Sequence, residues 1–422
     1  MTESTALPLP SRRRGGFARR AVLAKLRGLR EGRLTIHQGS ETILLGKCEE
    51  PAAHLHVHRP EFWSGVAFGG TIGAAEAYMD GHWSTDDLTA LVRIMVRNRD
   101  LMNGLEGGLG RLTAPLHALY HRLRRNTRRG ASRNIREHYD LGNEFFELFL
   151  DETMTYSCAL FDPPEISLAD ASRAKIDRLC EKLELGPDDH LLEIGTGWGA
   201  LALRAAERFG CRVTTTTLSP SQAAYARRRI AEAGMDHRVQ VIEVDYRDLE
   251  GRYDKLVSVE MIEAVGHRYF DSFFAKCSSL LAPDGLMALQ AITIADRFYE
   301  QARRSVDFIQ RYIFPGGAIP SISTLSRSVA RVTDLTPVHL EDLSPHYART
   351  LRTWRERFQA KADEIQKLGF PRRFQRMWEF YFCYCEGGYI ERSIGNIQWV
   401  LAKPRNRRPP ILGTLTTAQE AR

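Results

Sequence analysis

Leu191-Leu192-Glu193-Ile194-Gly195-Thr196-Gly197-Trp198-Gly199 reads as an apolar strand running into a glycine-rich turn and then a helix. Glycines at such a junction let backbone approach a bound nucleotide, because a Cβ would clash. A dinucleotide fingerprint is spaced G-x-G-x-x-G, whereas here the spacing is G-x-G-x-G. Glu193 stands two residues before the first glycine, where it can face a cationic amino group. That combination suits the nucleoside and amino acid of S-adenosylmethionine better than a pyrophosphate. The plain alternative is a tight strand–helix turn with no ligand. Context favours a ligand: the next strand ends at Thr217-Leu218-Ser219, and the one after at Val244-Asp245-Tyr246, where an adenine would be read.

The elements that must position this loop are regular from about residue 186 onward. Strands are predicted at His190–Ile194, Arg212–Leu218, Val239–Val244, Lys255–Val259 and Leu286–Ile294. Helices are predicted at Ala200–Phe209, Gln222–Ala233 and Tyr269–Leu281. Such alternation predicts an α/β fold with a doubly wound, mostly parallel sheet, whose ligands bind at the carboxyl ends of the strands. Helices near Tyr347–Leu368 and Phe374–Tyr389 and a last strand Ile394–Leu401 follow a mixed insertion. Upstream, Leu34–Leu45 and His54–His58 alternate as strands, and Gly73–Met79 and Asp86–Val96 read as helices. The expected organisation is a basic tail (1–32), a small α+β domain (33–125), and a catalytic domain (126–403) with a lid insertion at 294–340. A C-terminal tail (404–422) completes it.

Composition bounds the function class. The 422 residues are 43% hydrophobic and 26% charged, which excludes low-complexity and disordered chains. Residues 1–136 hold 22 Lys and Arg against 12 Asp and Glu, whereas the remainder is net −3. A basic N-terminal third suits an anionic partner, either nucleic acid or an acidic membrane surface. The seven scattered cysteines form no CxxC pair or zinc-like cluster, so free thiols and no metal are expected. No stretch is long and apolar enough to span a membrane, and the arginines near 12–20 lack a following apolar export segment. The expected location is cytoplasmic, at the inner membrane face.

Ordered segments make the chain resemble the cyclopropane fatty acid synthase family, including the mycolic acid cyclopropane synthases. They are His138-Tyr139-Asp140-Leu141-Gly142-Asn143, Thr155-Tyr156-Ser157-Cys158, the Leu191–Gly199 loop and Thr217-Leu218-Ser219-Pro220-Ser221-Gln222. They continue with Glu260–His267, Phe314-Pro315-Gly316-Gly317 with Pro320-Ser321-Ile322, and Pro345-His346-Tyr347-Ala348. Glu76-Ala77-Tyr78-Met79-Asp80-Gly81 resembles the extra N-terminal domain of the phospholipid-acting members.

The resemblance implies a class I S-adenosylmethionine-dependent methyltransferase fold. It implies that a methylene group is added across a cis double bond of a phospholipid acyl chain at an anionic membrane surface, with no nucleic-acid partner and with a homodimer allowed. Cofactor contacts are implied at Tyr156, Ser157, Glu193, Gly195, Thr196, Gly197, Gly199, Thr217, Leu218, Ser219, Gln222, Tyr246 and Arg247. A bicarbonate ion is implied as catalytic base, held by the side chains of Cys158, Glu263 and Tyr347 and the backbone of Ile292. Gln290 stands where many members carry histidine; an amide still donates to an anion but cannot become cationic. Cys385 aligns with a cysteine assigned to the family's active site. On an aromatic helix it reads rather as a channel wall, because no step needs a covalent thiol adduct.

The implied chemistry is demanding. An alkene attacking a sulfonium methyl leaves a carbocation that water would trap, so the site must be dry, and a base must remove one proton. Losing a different proton gives a methyl- or methylene-branched chain on the same scaffold. A methyltransferase acting on a small polar acceptor and a nucleic-acid-modifying protein are the other readings. The arginine clusters support the last by charge alone.

Overall fold

The computed structural model describes residues 12–101 and 141–412, which fall into two compact units. One combines the N-terminal residues with 300–315 and 351–394; the other takes the rest. The arginine-dense stretch 111–136, the expected boundary near 125 and the His138-Tyr139-Asp140 motif lie outside the described residues.

The larger unit is built on a seven-stranded sheet. Its strands are β5 (His190–Ile194), β6 (Arg212–Thr216), β7 (Val239–Ile242), β8 (Tyr253–Val259), β9 (Leu281–Ile294), β10 (Thr336–Asp342) and β11 (Ile394–Ala402). They lie in the order β10-β11-β9-β8-β5-β6-β7. β9, β8, β5, β6 and β7 run parallel, and β10 pairs antiparallel with β11 at the edge. Side chains alternate between faces along a strand, and both faces here are covered. Leu192, Leu256, Met287 and Trp399 enter one core with Phe273 and Phe274, while Leu191, Val257, Ala288 and Val400 enter the other with Leu201 and Ile230. Burial of each such side chain contributes about 1.5–3 kcal/mol.

Local signals set the helices. Ser219 accepts from the amide of Gln222 and Pro220 opens the helix Pro220–Glu232. Gly199 and Gly210, both left-handed, bracket Ala200–Phe209. The chain visits β6 and β7 on one side of β5, then β8 and β9 on the other. The switch point therefore falls between β5 and β8, where ligands of such sheets bind.

The smaller unit carries a sheet ordered β2-β1-β3-β4, from β1 (Arg33–Gln38), β2 (Glu41–Gly46), β3 (Ala52–Val57) and β4 (Trp83–Thr85). The predicted single strand Leu34–Leu45 is a hairpin, turning at Gly39-Ser40 between Gln38 and Glu41. The helix expected at Gly73–Met79 begins already at Glu61 and is interrupted at Gly70, whose φ is 54°. The helix Leu88–Arg97 starts where Asp87 accepts from Ala90, and the helix Arg372–Ile390 packs on it: a Cβ at Gly387 would lie 2.7 Å from Val92.

The stretch expected to be one lid, 294–340, is divided. Residues 300–315 cluster with the N-terminal residues, whereas 316–340 supply the helix Ile322–Val332 and most of β10 to the larger unit. Leu325 and Val329 are buried in one of its cores, which is why this part builds structure instead of covering a site.

Candidate active site

The carboxyl ends of β5, β6 and β8 open onto a cavity of about 190 Å³. β5 passes at Ile194 into Gly195, whose φ is 108° and where a Cβ would lie 3.3 Å from the side chain of Met261. Both facts demand glycine. Gly199 serves differently: it leaves the cavity wall and lets two helices approach, since a Cβ there would meet Ala226 at 3.0 Å.

Glu193 is almost fully buried, and its Oε2 accepts from Thr215 Oγ1 at 2.6 Å. Burial pushes its pKa up to about 8. An α-amino group beside it would add to the partial counter-charge of Lys175, so the residues fit the amino-acid end of the expected cofactor. Tyr156, Ser157, Thr196, Gly197, Thr217, Leu218, Gln222 and Tyr246 also line the cavity. Ser219 and Arg247 do not. Ser219 is the helix cap, and Arg247 is turned onto Asp245 at 2.8 and 2.5 Å.

Just past β8 the chain places two carboxylates three residues apart. Glu260 holds a left-handed backbone (φ 48°), a conformation costing about 1–3 kcal/mol in a non-glycine residue. Its Oε1 accepts from the amide of Cys158 (3.0 Å), Gln290 Nε2 (2.9 Å) and Asn396 Nδ2 (2.7 Å). Its Oε2 accepts from the Tyr347 hydroxyl at 2.6 Å. Glu263 Oε1 accepts from the amide of Ile292, while its buried Oε2 makes no hydrogen bond among the described residues. Burial, helped by Glu260, raises the Glu263 pKa to about 8.

This geometry corrects the expected anion site. Cys158, Gln290 and Tyr347 do converge, but on the Glu260 carboxylate, and the Ile292 amide is taken by Glu263. The residues present do not fit a bicarbonate ion in that place, because its donors already hold a side-chain carboxylate. Cys158 contributes its backbone N–H, not its thiol. The fully buried Sγ faces the carbonyls of Ala159 (3.3 Å) and Leu343 (3.7 Å), and burial pushes the thiol pKa up. Cys385 lies on the helix Arg372–Ile390 of the smaller unit, and burial raises its pKa too, which disfavours a nucleophilic thiolate. His267, near the end of the same motif, bonds Tyr299 at 3.1 Å.

Behind Glu260 runs a buried polar chain that sequence reasoning missed. Gln290 Oε1 accepts from Gln398 Nε2 (3.0 Å), Gln398 Oε1 accepts from Lys182 Nζ (2.7 Å), and Lys182 pairs with Glu341 at 2.5 Å. Lys175 was also missed. It is 2% exposed, on the cavity wall, donating to Ser157 Oγ at 2.8 Å; burial lowers its pKa, opposed by Glu260 and Glu193. A lysine on the apolar side of Leu168–Lys182, four residues before Leu179, was the available signal. Among the described residues no metal-holding cluster occurs, and no helix is long and apolar enough to cross a membrane.

Comparison with known proteins now places the chain. The tuberculostearic acid methyltransferase of Mycobacterium tuberculosis is 41% identical over 88% of this chain and 87% of the relative. The cyclopropane-fatty-acyl-phospholipid synthase of Escherichia coli is 34% identical over 83% and 88%. Among solved structures, a mycolic acid cyclopropane synthase complexed with SAH superposes with a TM-score of 0.61 at 33% identity, covering 64% of this chain and 98% of that one. A coclaurine N-methyltransferase, at 21% identity and a TM-score of 0.58, shares the fold alone. The family described as mycolic acid cyclopropane synthetase matches residues 126–399, and the chain, with its glycine loop at β5 and its paired glutamates after β8, belongs to it.

Proposed function

We propose that this chain uses S-adenosylmethionine to methylate a cis double bond in a phospholipid acyl chain, and that the Glu260 carboxylate removes the proton that ends the reaction. The observation that carries this reading is the convergence of four donors on Glu260 where a separate anion was expected. When bound, the cofactor supplies an electrophilic methyl group to the alkene. One alkene carbon gains that methyl and its neighbour becomes cationic. Tyr347, Asn396, Gln290 and the Cys158 amide hold the base in one orientation, so positioning does much of the work. Glu263, neutral below about pH 8, keeps a second negative charge out of the same buried space.

The favoured product is methylene-branched. A hydride moves from the methyl-bearing carbon to the cationic one, a proton leaves the new methyl to Glu260, and a C=CH₂ group remains. A saturated methyl branch then requires a separate hydride donor. Support comes from the Glu260 carboxylate held by four donors, from Gln290 in place of histidine, and from the 41% identical tuberculostearic acid methyltransferase. The second reading is ring closure, in which the methyl proton leaves without the hydride shift. The 34% identical E. coli synthase favours it. Phospholipid as substrate is supported by that relative's coverage of 83% of this chain, against 61% for a cyclopropane mycolic acid synthase of M. tuberculosis. The proposed place of action is the cytoplasmic membrane face.

Incubation with the cofactor and vesicles of cis-unsaturated phospholipid tests this. Acyl mass should rise by one CH₂, with new vinylidene proton signals. High-field cyclopropane signals would select ring closure, and an unchanged acyl chain despite cofactor binding would reject both.

A further inference from the structure

The smaller unit contains a second cavity, of about 450 Å³, walled by basic side chains. The first turn of the helix Arg372–Ile390 contributes Arg372, Arg373 and Arg376, and Arg59 and His82 come from the segments flanking Glu61–Met79. Asp80 is the only carboxylate on the wall, so four guanidinium groups face one negative charge.

The donors are not equally engaged. Arg373 Nε pairs with Asp80 at 2.7 Å. Arg376 is fixed over the Tyr78 ring at 4.0 Å and donates to the carbonyls of Tyr78 (2.5 Å) and Trp83 (2.9 Å). By contrast, the side chains of Arg59, Arg372 and His82 have no hydrogen-bond or ion-pair partner among the described residues. Like charges brought together without a counter-ion repel, and a fold tolerates them most readily where an anion binds. Guanidinium forks match the oxygens of a phosphate in paired hydrogen bonds. The cavity also far exceeds the ~30 Å³ share of one water, leaving room for an ester substituent.

We propose that this cavity binds a phosphate mono- or diester. The inference does not depend on the acyl chemistry above. The ligand is either the headgroup phosphate of a lipid or a free phosphate ester, and one experiment separates them.

The full chain and an Arg59→Gln/Arg372→Gln double variant are compared in low salt, where such attraction is least screened. Both side chains are exposed and unpaired, and unchanged affinity for S-adenosylhomocysteine confirms folding. Glycerol 3-phosphate is titrated calorimetrically, and vesicles of phosphatidylcholine with and without phosphatidylglycerol are co-sedimented. The native chain should bind saturably, and the variant should weaken at least tenfold. Weakening toward both probes identifies a lipid headgroup; weakening toward glycerol 3-phosphate alone identifies a free ester. Wild-type affinity of the variant for both probes, or no binding of either by the native chain, overturns the proposal. No turnover is measured, so failure here and failure of the acyl reading remain distinguishable.

Discussion

The Tyr347 hydroxyl donates a 2.6 Å hydrogen bond to Oε2 of Glu260, joining the start of the helix Ser344–Ala360 to the end of β8. With three N–H donors on Oε1, that bond makes Glu260 the most fully addressed carboxylate of the site. Its left-handed φ of 48° is held in place by these contacts.

Replacing Glu260 is therefore the most direct test of the base. Glu260→Gln should lower turnover by roughly 100-fold or more, the usual span for a positioned base, with a smaller loss of cofactor affinity. Glu260→Gly relaxes the backbone and leaves the donors free for a soluble anion. Added bicarbonate should then restore part of its activity, while the native enzyme should be indifferent to bicarbonate removal. Near-native turnover by Glu260→Gln would exclude the role.

Stability should depend on pH through the buried carboxyls. Glu193 and Glu263 have folded-state pKa values near 8, above the usual 4.5. The folded chain thus binds their protons more tightly than the unfolded chain does. Their contribution is fully present below 4.5 and is lost as pH rises through 8. The denaturant midpoint should fall across that window, and Glu263→Gln should flatten the fall. A steeper fall in the variant would contradict the assignment.

The cysteines should prove dispensable for turnover. Cys158→Ser keeps a donor toward the Ala159 and Leu343 carbonyls and leaves the backbone N–H on Glu260 intact. Cys385→Ala removes a thiol whose ionisation burial opposes. Both variants should turn over within about threefold of native, a change of under 1 kcal/mol in barrier. A hundredfold loss in Cys385→Ala would restore its catalytic assignment.

The polar chain behind Glu260 should be costly to break. Gln290→Leu strips the fully buried Gln398 of an acceptor and the half-buried Glu260 of one of its donors. Glu260 keeps its other donors, whereas the stranded Gln398 amide costs about 1–3 kcal/mol, and chemical denaturation should register a loss of that order. Gln290→His keeps one donor and one acceptor and should lose less.

Much of the fold was legible because its signals are local. Apolar runs closing in turn residues located β5 to β9 to within a few residues, and Gly195, Gly197 and Gly199 marked the loop, since their positive φ angles suit a residue without Cβ. Pairing choices were less legible. β10 is mostly intermediate or exposed (Thr336–Asp342), so its sequence carries no core pattern, and only its ladder with β11 makes it a strand.

By itself, the sequence determined the parallel sheet and the cofactor loop at its switch point, and its family resemblance supplied the candidates Glu263, Gln290 and Tyr347. Each of these rests on short-range spacing or an ordered motif. Tertiary structure alone decided what those candidates touch. The donors on Glu260 come from residues 102, 30, 87 and 136 positions away along the chain. No periodicity reports contacts at such separations. They exist because a loop at Cys158, the strands β9 and β11 and the helix Ser344–Ala360 all bring residues to the end of β8, where a side-chain carboxylate takes the place expected for a dissolved anion.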